Sequence, residues 1–237
     1  MPRLRLVLLL GAVAIVSGLA LHPSSGLAQS PSTVATFRGS YNGFSTPEVL
    51  GPFPLHAGLT VIRSRHNGTA NFVVSLVTAE PGKTPQDSYA NRYLVSDGIG
   101  RFDGGGAVIV REDGEYYLLL AAGGAYEITV EQPSPSTVTA VNERSFSGSG
   151  QQVTPVFRLA AGTVTIDAQT DQEFLTVWLY LIDDLGGAAV GPGYDGRIID
   201  TTRGTGTTVS VDVPAGLYML ATATGVTNER WSLSVQQ

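Results

Sequence analysis

Apolar and polar residues alternate with period two through Gly114-Glu115-Tyr116-Tyr117-Leu118-Leu119-Leu120 and on through Ala125-Tyr126-Glu127-Ile128-Thr129-Val130. That spacing predicts half-buried strands, since successive side chains of a strand point to opposite faces. The pattern returns near the C-terminus as Gly216-Leu217-Tyr218-Met219-Leu220 and Arg230-Trp231-Ser232-Leu233-Ser234-Val235. One offset relates Gly114 and Tyr116 to Gly216 and Tyr218. A slightly longer one relates Tyr126 and Val130 to Trp231 and Val235. The chain therefore reads as one hairpin written twice, with a longer turn in the second copy.

Other stretches recur in the same order. Phe37-Arg38-Gly39-Ser40 is echoed by Phe146-Ser147-Gly148-Ser149, and Leu55 to Ile62 by Leu159 to Ile166. Both of the latter carry an Ala-Gly pair that reads as a turn. Asn71-Phe72-Val73-Val74-Ser75-Leu76-Val77 matches Thr176 to Ile182, with Phe72, Val74 and Leu76 set against Val177, Leu179 and Leu181. These runs are nearly continuous in apolar and β-branched residues, as in strands covered on both faces. Trp178 and Tyr180 are expected to pack under a loop or against the other copy. Thr207 to Val213 alternates and stops at the turn Pro214-Ala215-Gly216. Gln29 to Val34 reads as a disordered leader, and Gln132-Pro133-Ser134-Pro135-Ser136 as a stiff polar linker between the copies.

The N-terminus changes the picture of where the protein works. Arg3 and Arg5 precede an apolar run from Leu6 to Val16, and Gly26-Leu27-Ala28 supplies small residues before Gln29. This is the layout of a secretory signal peptide cut after Ala28. The run is shorter than a membrane span requires, and no later run reaches spanning length. An exported protein, periplasmic or extracellular, is expected, without a membrane span in the mature chain.

Composition then narrows the chemistry. The net charge is −6 before Arg3 and Arg5 are lost, and Lys83 is the only lysine. Nucleic acid, which is held by clustered cations on phosphates, is an unsuitable partner. There is no cysteine, which removes disulfides, thiol catalysis and thiolate metal sites together. No Gly-x-Ser-x-Gly elbow occurs, and Ser147-Gly148-Ser149-Gly150 reads as a turn. His56 and His66, the imidazoles downstream of the signal segment, lack zinc-site spacing. Arg63, Arg65 and His66 read as a small basic patch on a solvated strand end. Asp183, Asp184, Asp195 and Asp200 flank a glycine-rich loop, Gly191 to Gly196, of the kind that gathers oxygen ligands for calcium. No Asp-x-Asp-x-Asp-Gly run is present, and no pair of carboxylates stands out for glycoside hydrolysis.

Phe157-Arg158-Leu159-Ala160-Ala161-Gly162, Val177 to Asp183, Pro214-Ala215-Gly216-Leu217-Tyr218 and the closing Trp231-x-Leu233-x-Val235 resemble bacterial pre-peptidase C-terminal domains. The resemblance spans about 100 residues in each copy, a usual size for a sandwich module. It implies small exported β-sandwiches that accompany secreted enzymes and assist secretion or bind calcium or polymeric substrate.

The expectation is thus all-β: two tandem β-sandwich domains (jelly-roll or Ig-like) related by internal duplication, after a signal peptide. Residues 1–28 form the signal peptide, 29–134 the first repeat and 135–237 the second. No catalytic, cofactor or metal residue is assigned, and no cofactor is expected. The function expected is non-catalytic, a binding or structural role in the envelope or outside the cell, toward an unknown extracytoplasmic protein or glycan. The alternative is a calcium- or carbohydrate-binding accessory module of a secreted hydrolase system, using the Gly191–Gly196 loop, Tyr194 and the Asp183, Asp184 and Asp195 carboxylates.

Overall fold

The computed structural model describes residues 32–78, 80–88, 92–171, 174–191, 196–202, 206–225 and 229–237. The expected signal peptide lies outside them. Its first half holds β1 (Ser32–Leu55), β2 (Gly58–Gly68), β3 (Asn71–Thr78), β4 (Tyr93–Ile99), β5 (Phe102–Val110) and β6 (Gly114–Gln132). A single 3-10 turn, Pro85–Asp87, interrupts the strands. Ser32 to Val34 belong to β1, so the leader expected there is strand.

The six strands make one antiparallel sheet that doubles back on itself. β6 pairs with β1 along its whole length, with β2 through Gly124 to Glu131, and with β3 through Tyr116 to Ala121. β2 and β3 therefore run end to end along β6, and β4 and β5 run end to end along them in turn. Each line bends at the same level, marked by Gly43–Glu48 in β1, Gly68–Ala70 between β2 and β3, and Gly123-Gly124 in β6. In β1 the bend is tied by the Tyr41 hydroxyl, which donates to the Thr46 carbonyl.

The folding-over is visible in distances. Phe37 and Phe53 pair with opposite ends of β6, yet their rings lie 5.7 Å apart. The inward residues of β6 keep one phase through the bend: Tyr116, Leu118, Leu120 and Ala122, then Tyr126, Ile128 and Val130, all in one core with Ile62, Phe72 and Val110. A continuous strand thus occupies the stretch expected to be a hairpin. Its two halves face each other because the sheet bends, so no turn is needed.

The second half holds β7 (Ser145–Ser149), β8 (Gln152–Val153), β9 (Phe157–Leu159), β10 (Gly162–Thr170), β11 (Phe174–Ile182), β12 (Ala188–Val190), β13 (Arg197–Thr202), β14 (Thr207–Val213), β15 (Gly216–Thr224) and β16 (Arg230–Gln236). One sheet is ordered β14-β10-β16-β7 and the other β12-β11-β15-β8, with β13 on β11 and β9 on β15. Between them lies a core that includes Phe157, Val164, Leu179, Tyr218 and Trp231. β15 and β16 occupy different sheets, so here too the expected hairpin is absent.

The two halves share their registers. Gly58 opposes Val110 as Gly162 opposes Val213, and Ile62 opposes Val130 as Ile166 opposes Val235. Leu76 opposes Leu118 as Leu179 opposes Leu220, so Leu179 corresponds to Leu76, two positions on from Val74. A two-residue slip preserves the face, which is why the apolar pattern alone did not reveal it. The recurring Gly-x-Tyr is a tyrosine corner in both halves. The fully buried Tyr116 donates to the Glu112 carbonyl at 2.8 Å, and Tyr218 to the Pro214 carbonyl at 2.6 Å.

The segment after Gln132 does not hold the halves apart. A third cluster joins Leu59, Val61 and Ala107 of the first half to Tyr180, Ile182, Leu217 and Met219 of the second, with Val153 and Val156. β11 is accordingly covered on both faces, with Val177 and Leu179 in its own core and Tyr180 and Ile182 against the other half. The loop after β11 presses onto the turn before β2. Gly58 has φ +138, and a Cβ there would lie 2.4 Å from the Gly186 carbonyl oxygen. Gly162 has the same φ with open space around it.

These two glycines separate backbone strain from docking. Gly162→Ala is expected to cost about 1–3 kcal/mol from the backbone alone. Gly58→Ala should cost a further increment of about 1–3 kcal/mol from the overpacked contact. Urea denaturation of both variants checks this, and equal losses would remove the role given to the Gly58–Gly186 approach.

Burial holds the Tyr218 phenol up to about 12, and burial, then the hydrogen bond to Glu48, does the same for Tyr126. Each folded value lies above the ordinary 10.0 of an unfolded tyrosine. Their contribution to stability is therefore complete below pH 10 and is lost as the pH rises toward 12. The urea midpoint should fall across that window, and fall less steeply when Tyr126 and Tyr218 are both replaced by Phe. An equal slope in the double variant would refute the assignment.

Candidate functional site

The joint between the two halves is built on a run of glycines inside a strand. Asp103-Gly104-Gly105-Gly106 lies within β5, whose outer edge carries no further strand among the described residues. That edge is met by the turn between β7 and β8. Gly105 N–H donates to the Gln151 carbonyl at 3.2 Å, and Gln152 Nε2 donates to the Asp103 carbonyl at 2.8 Å. The Tyr180 hydroxyl donates to the Ala107 carbonyl at 2.9 Å, and Gln151 Oε1 accepts from the Asp97 N–H of β4 at 2.7 Å. A Cβ on Gly104 would stand 2.1 Å from the Gln151 oxygen, so glycine is what lets the turn approach. Trp231 fixes the turn from behind, donating from Nε1 to the Gly150 carbonyl at 2.9 Å.

Beyond Ala107 the two halves part and leave a cleft of about 650 Å³. Tyr93, Val95 and Ile109 line it from the first half and Trp178, Ala188 and Ala189 from the second, together with Gln151 and Thr222. Its volume falls in the range usual for small-ligand sites. Trp178 is half-buried and presents part of its indole, whereas Tyr180 is buried and its hydroxyl is engaged. Arg92 and Arg111 line the cleft, and no carboxylate does among the described residues. Burial raises the Tyr93 phenol, with the Arg111 charge pulling the other way.

The residues singled out in the sequence do not gather here. Asp183 Oδ1 accepts from Leu185 N–H at 2.9 Å and Gly187 N–H at 2.8 Å, capping its own loop. That loop presents the Gly186 carbonyl to the Leu59 N–H. Asp184 is exposed, and Asp200 pairs with Arg197 at 2.7 Å. Tyr194 and Asp195 lie outside the described residues, as does most of the Gly191–Gly196 loop. Among the described residues no three His, Asp or Glu side chains are grouped to hold a metal ion.

His56 is exposed beside Asp113, 3.4 Å from its carboxylate. The Ala57 N–H, and then His56, hold Asp113 below the usual carboxylate range. His66 departs from expectation. It lies on the inner face of β2, a central strand, buried and stacked on Phe72 at 4.8 Å, with Nδ1 2.7 Å from the Gly100 carbonyl. Arg63 and Arg65 point to the opposite face, paired with Glu131 and Asp103. The basic patch on a strand end does not exist, because β5 and β6 flank β2 on both sides. Ser147 and Ser149 also belong to a strand, β7, where Gly148 makes room for the Trp231 ring; the turn is at Gly150.

No known protein family matches the chain, and no curated protein does. Among solved structures, the tandem CBM22-1–CBM22-2 domain of Paenibacillus barcinonensis Xyn10C aligns over 90% of this chain and 94% of its own, at 11% identity and a TM-score of 0.25. A fucolectin from striped bass, Morone saxatilis, aligns over 77% and 78% at 14% identity and 0.23. Broad Bean Stain Virus aligns over 95% and 94% at 8% identity and 0.27. Scores this low assign neither detailed topology nor ligand. No helix among the described residues is long and apolar enough to cross a membrane.

The joint itself is open to test. Gly104→Ala should drive the Gln151 turn off the β5 edge. The Gly105 and Asp97 amides should then exchange roughly tenfold faster or more, while amides of β10 keep their protection. Unchanged exchange at Gly105 and Asp97 would show that the approach at Gly104 does not hold the joint.

Proposed function

We propose that this chain is a non-catalytic exported protein that binds an extracytoplasmic partner in the cleft between its two halves. The observation that carries the reading is the half-buried Trp178 lining a cleft of about 650 Å³ between the two halves. Aromatic side chains at concave, largely apolar sites supply contact area with little ordering cost. The resemblance to pre-peptidase C-terminal domains supports export and an accessory role.

A second reading, a carbohydrate-binding module serving a secreted hydrolase, draws on the same tryptophan. A sugar ring laid on the indole would leave its hydroxyls toward Gln151, Thr222 and Arg111. Calcium has less support, because Asp183 spends one oxygen on its own loop.

Purified protein and its Trp178→Ala variant, passed over envelope extract and culture medium, should differ. The wild type recovers a partner that the variant releases. Recovery of the same partner by both proteins would place the site elsewhere. Calorimetry with calcium and with soluble polysaccharides separates the second reading, which predicts heat with a polysaccharide that Trp178→Ala abolishes.

A further inference from the structure

The cleft contains an unfinished strand edge. Along β5, the groups that reach the second half belong to alternate residues: Asp103 C=O, Gly105 N–H and Ala107 C=O. In an antiparallel strand the N–H and C=O of one residue point to the same side, and sides alternate. Ile109 is next in that series. Its partner across the ladder is Leu59, whose N–H is turned away from β5 toward the Gly186 carbonyl. Leu59 and Ile109 thus form a pair without mutual hydrogen bonds, and both backbone groups of Ile109 face the cleft. β5 carries no proline, lysine or bulge to defend this edge. Opposite it stand the small Ala188 and Ala189 and the Trp178 ring.

Resting on the cleft as the binding site, we propose that its occupant is an extended peptide segment of a partner protein that adds as a strand to β5 at Ile109. The Gln151, Gln152 and Tyr180 contacts cap the edge up to Ala107, and the peptide continues that role. Main-chain bonds to an edge supply affinity, and pockets for alternate side chains supply selectivity. Trp178 and the exposed Leu94 form the apolar contacts. Arg111 lines the cleft, and no carboxylate does among the described residues, so it selects a segment that bears an acidic residue or a chain-terminal carboxylate.

A phage-displayed library of random decapeptides, panned on the full chain, supplies the probe. Selected peptides should show alternating apolar residues with an acidic group at one end. In a synthetic copy, N-methylation at one set of alternate positions should weaken binding about tenfold, and at the other set hardly at all, because only alternate amides bond to the edge. Arg111→Glu, with an unchanged melting curve, should weaken binding about tenfold as well. A panning that yields no binder, or binding that N-methylation weakens equally at every position, overturns strand addition. Binding that survives Trp178→Ala overturns the cleft itself, whereas binding lost in Trp178→Ala without the alternation leaves the cleft standing and removes only the strand.

Discussion

One constraint orders the first half of the molecule: β6 must keep its side-chain phase while the sheet around it bends double. Had the bend inserted or removed a single residue, Tyr126, Ile128 and Val130 would have turned to solvent, since a slip of one flips every side chain of a strand. Gly123-Gly124 makes the bend without such a slip, and Gly124, at φ +153, adopts an angle that other residues resist. Seven inward side chains from Tyr116 to Val130 consequently fill a single core from both layers. The second half reaches the same end by a different route. There β15 and β16 sit in separate sheets, and the core between them is closed by Trp231 and Tyr218.

The second constraint is the exposed edge that a folded sheet leaves behind. An open edge invites pairing with other chains, and natural sheets cover, charge or shorten such edges. Here the neighbouring half does the covering, with side-chain and turn groups in place of a strand. This explains why the joint is both apolar and directional. Tyr180, Met219, Val61 and Ala107 bury a shared surface, while Gln151, Gln152 and the Tyr180 hydroxyl set the angle at which the surfaces meet. Of these bonds the one from Tyr180 to the Ala107 carbonyl is buried, so any other docking would leave a buried hydroxyl and carbonyl without partners.

Much of this was legible in the residues. Period-two alternation placed strand along β6, β14 and β16, whereas the tyrosine corners at the repeated Gly-x-Tyr emerged only from the hydrogen bonds of Tyr116 and Tyr218. What failed was pairing. Alternation around Leu120 and Tyr126 suits a hairpin or a bent strand equally, and only the register with β1, β2 and β3 distinguishes them. His66 was assigned to a solvated patch because Arg63 and Arg65 adjoin it; period two places it on the other face, with Phe72. The cleft was the least legible feature. Trp178 and Tyr180 were expected under a loop or against the other copy, where Tyr180 lies, but nothing local says that Trp178 lines an opening. The one sequence signal available was the run Gly104-Gly105-Gly106 inside a strand pattern, which marks a close backbone approach.

The position of the cleft follows from these two constraints together. A turn can cap only as many edge groups as it can reach, and the Gly150 turn, pinned by Trp231, reaches Asp103 and Gly105. Tyr180 extends the coverage to Ala107. Past that residue the loop after β11 is held to the turn at Ala57-Gly58 by the Gly186 carbonyl, on the far side of β2 from β5. The two fastenings straddle the stretch of β5 around Ile109 and keep the halves from closing over it. The opening is therefore a consequence of where the joint is fastened.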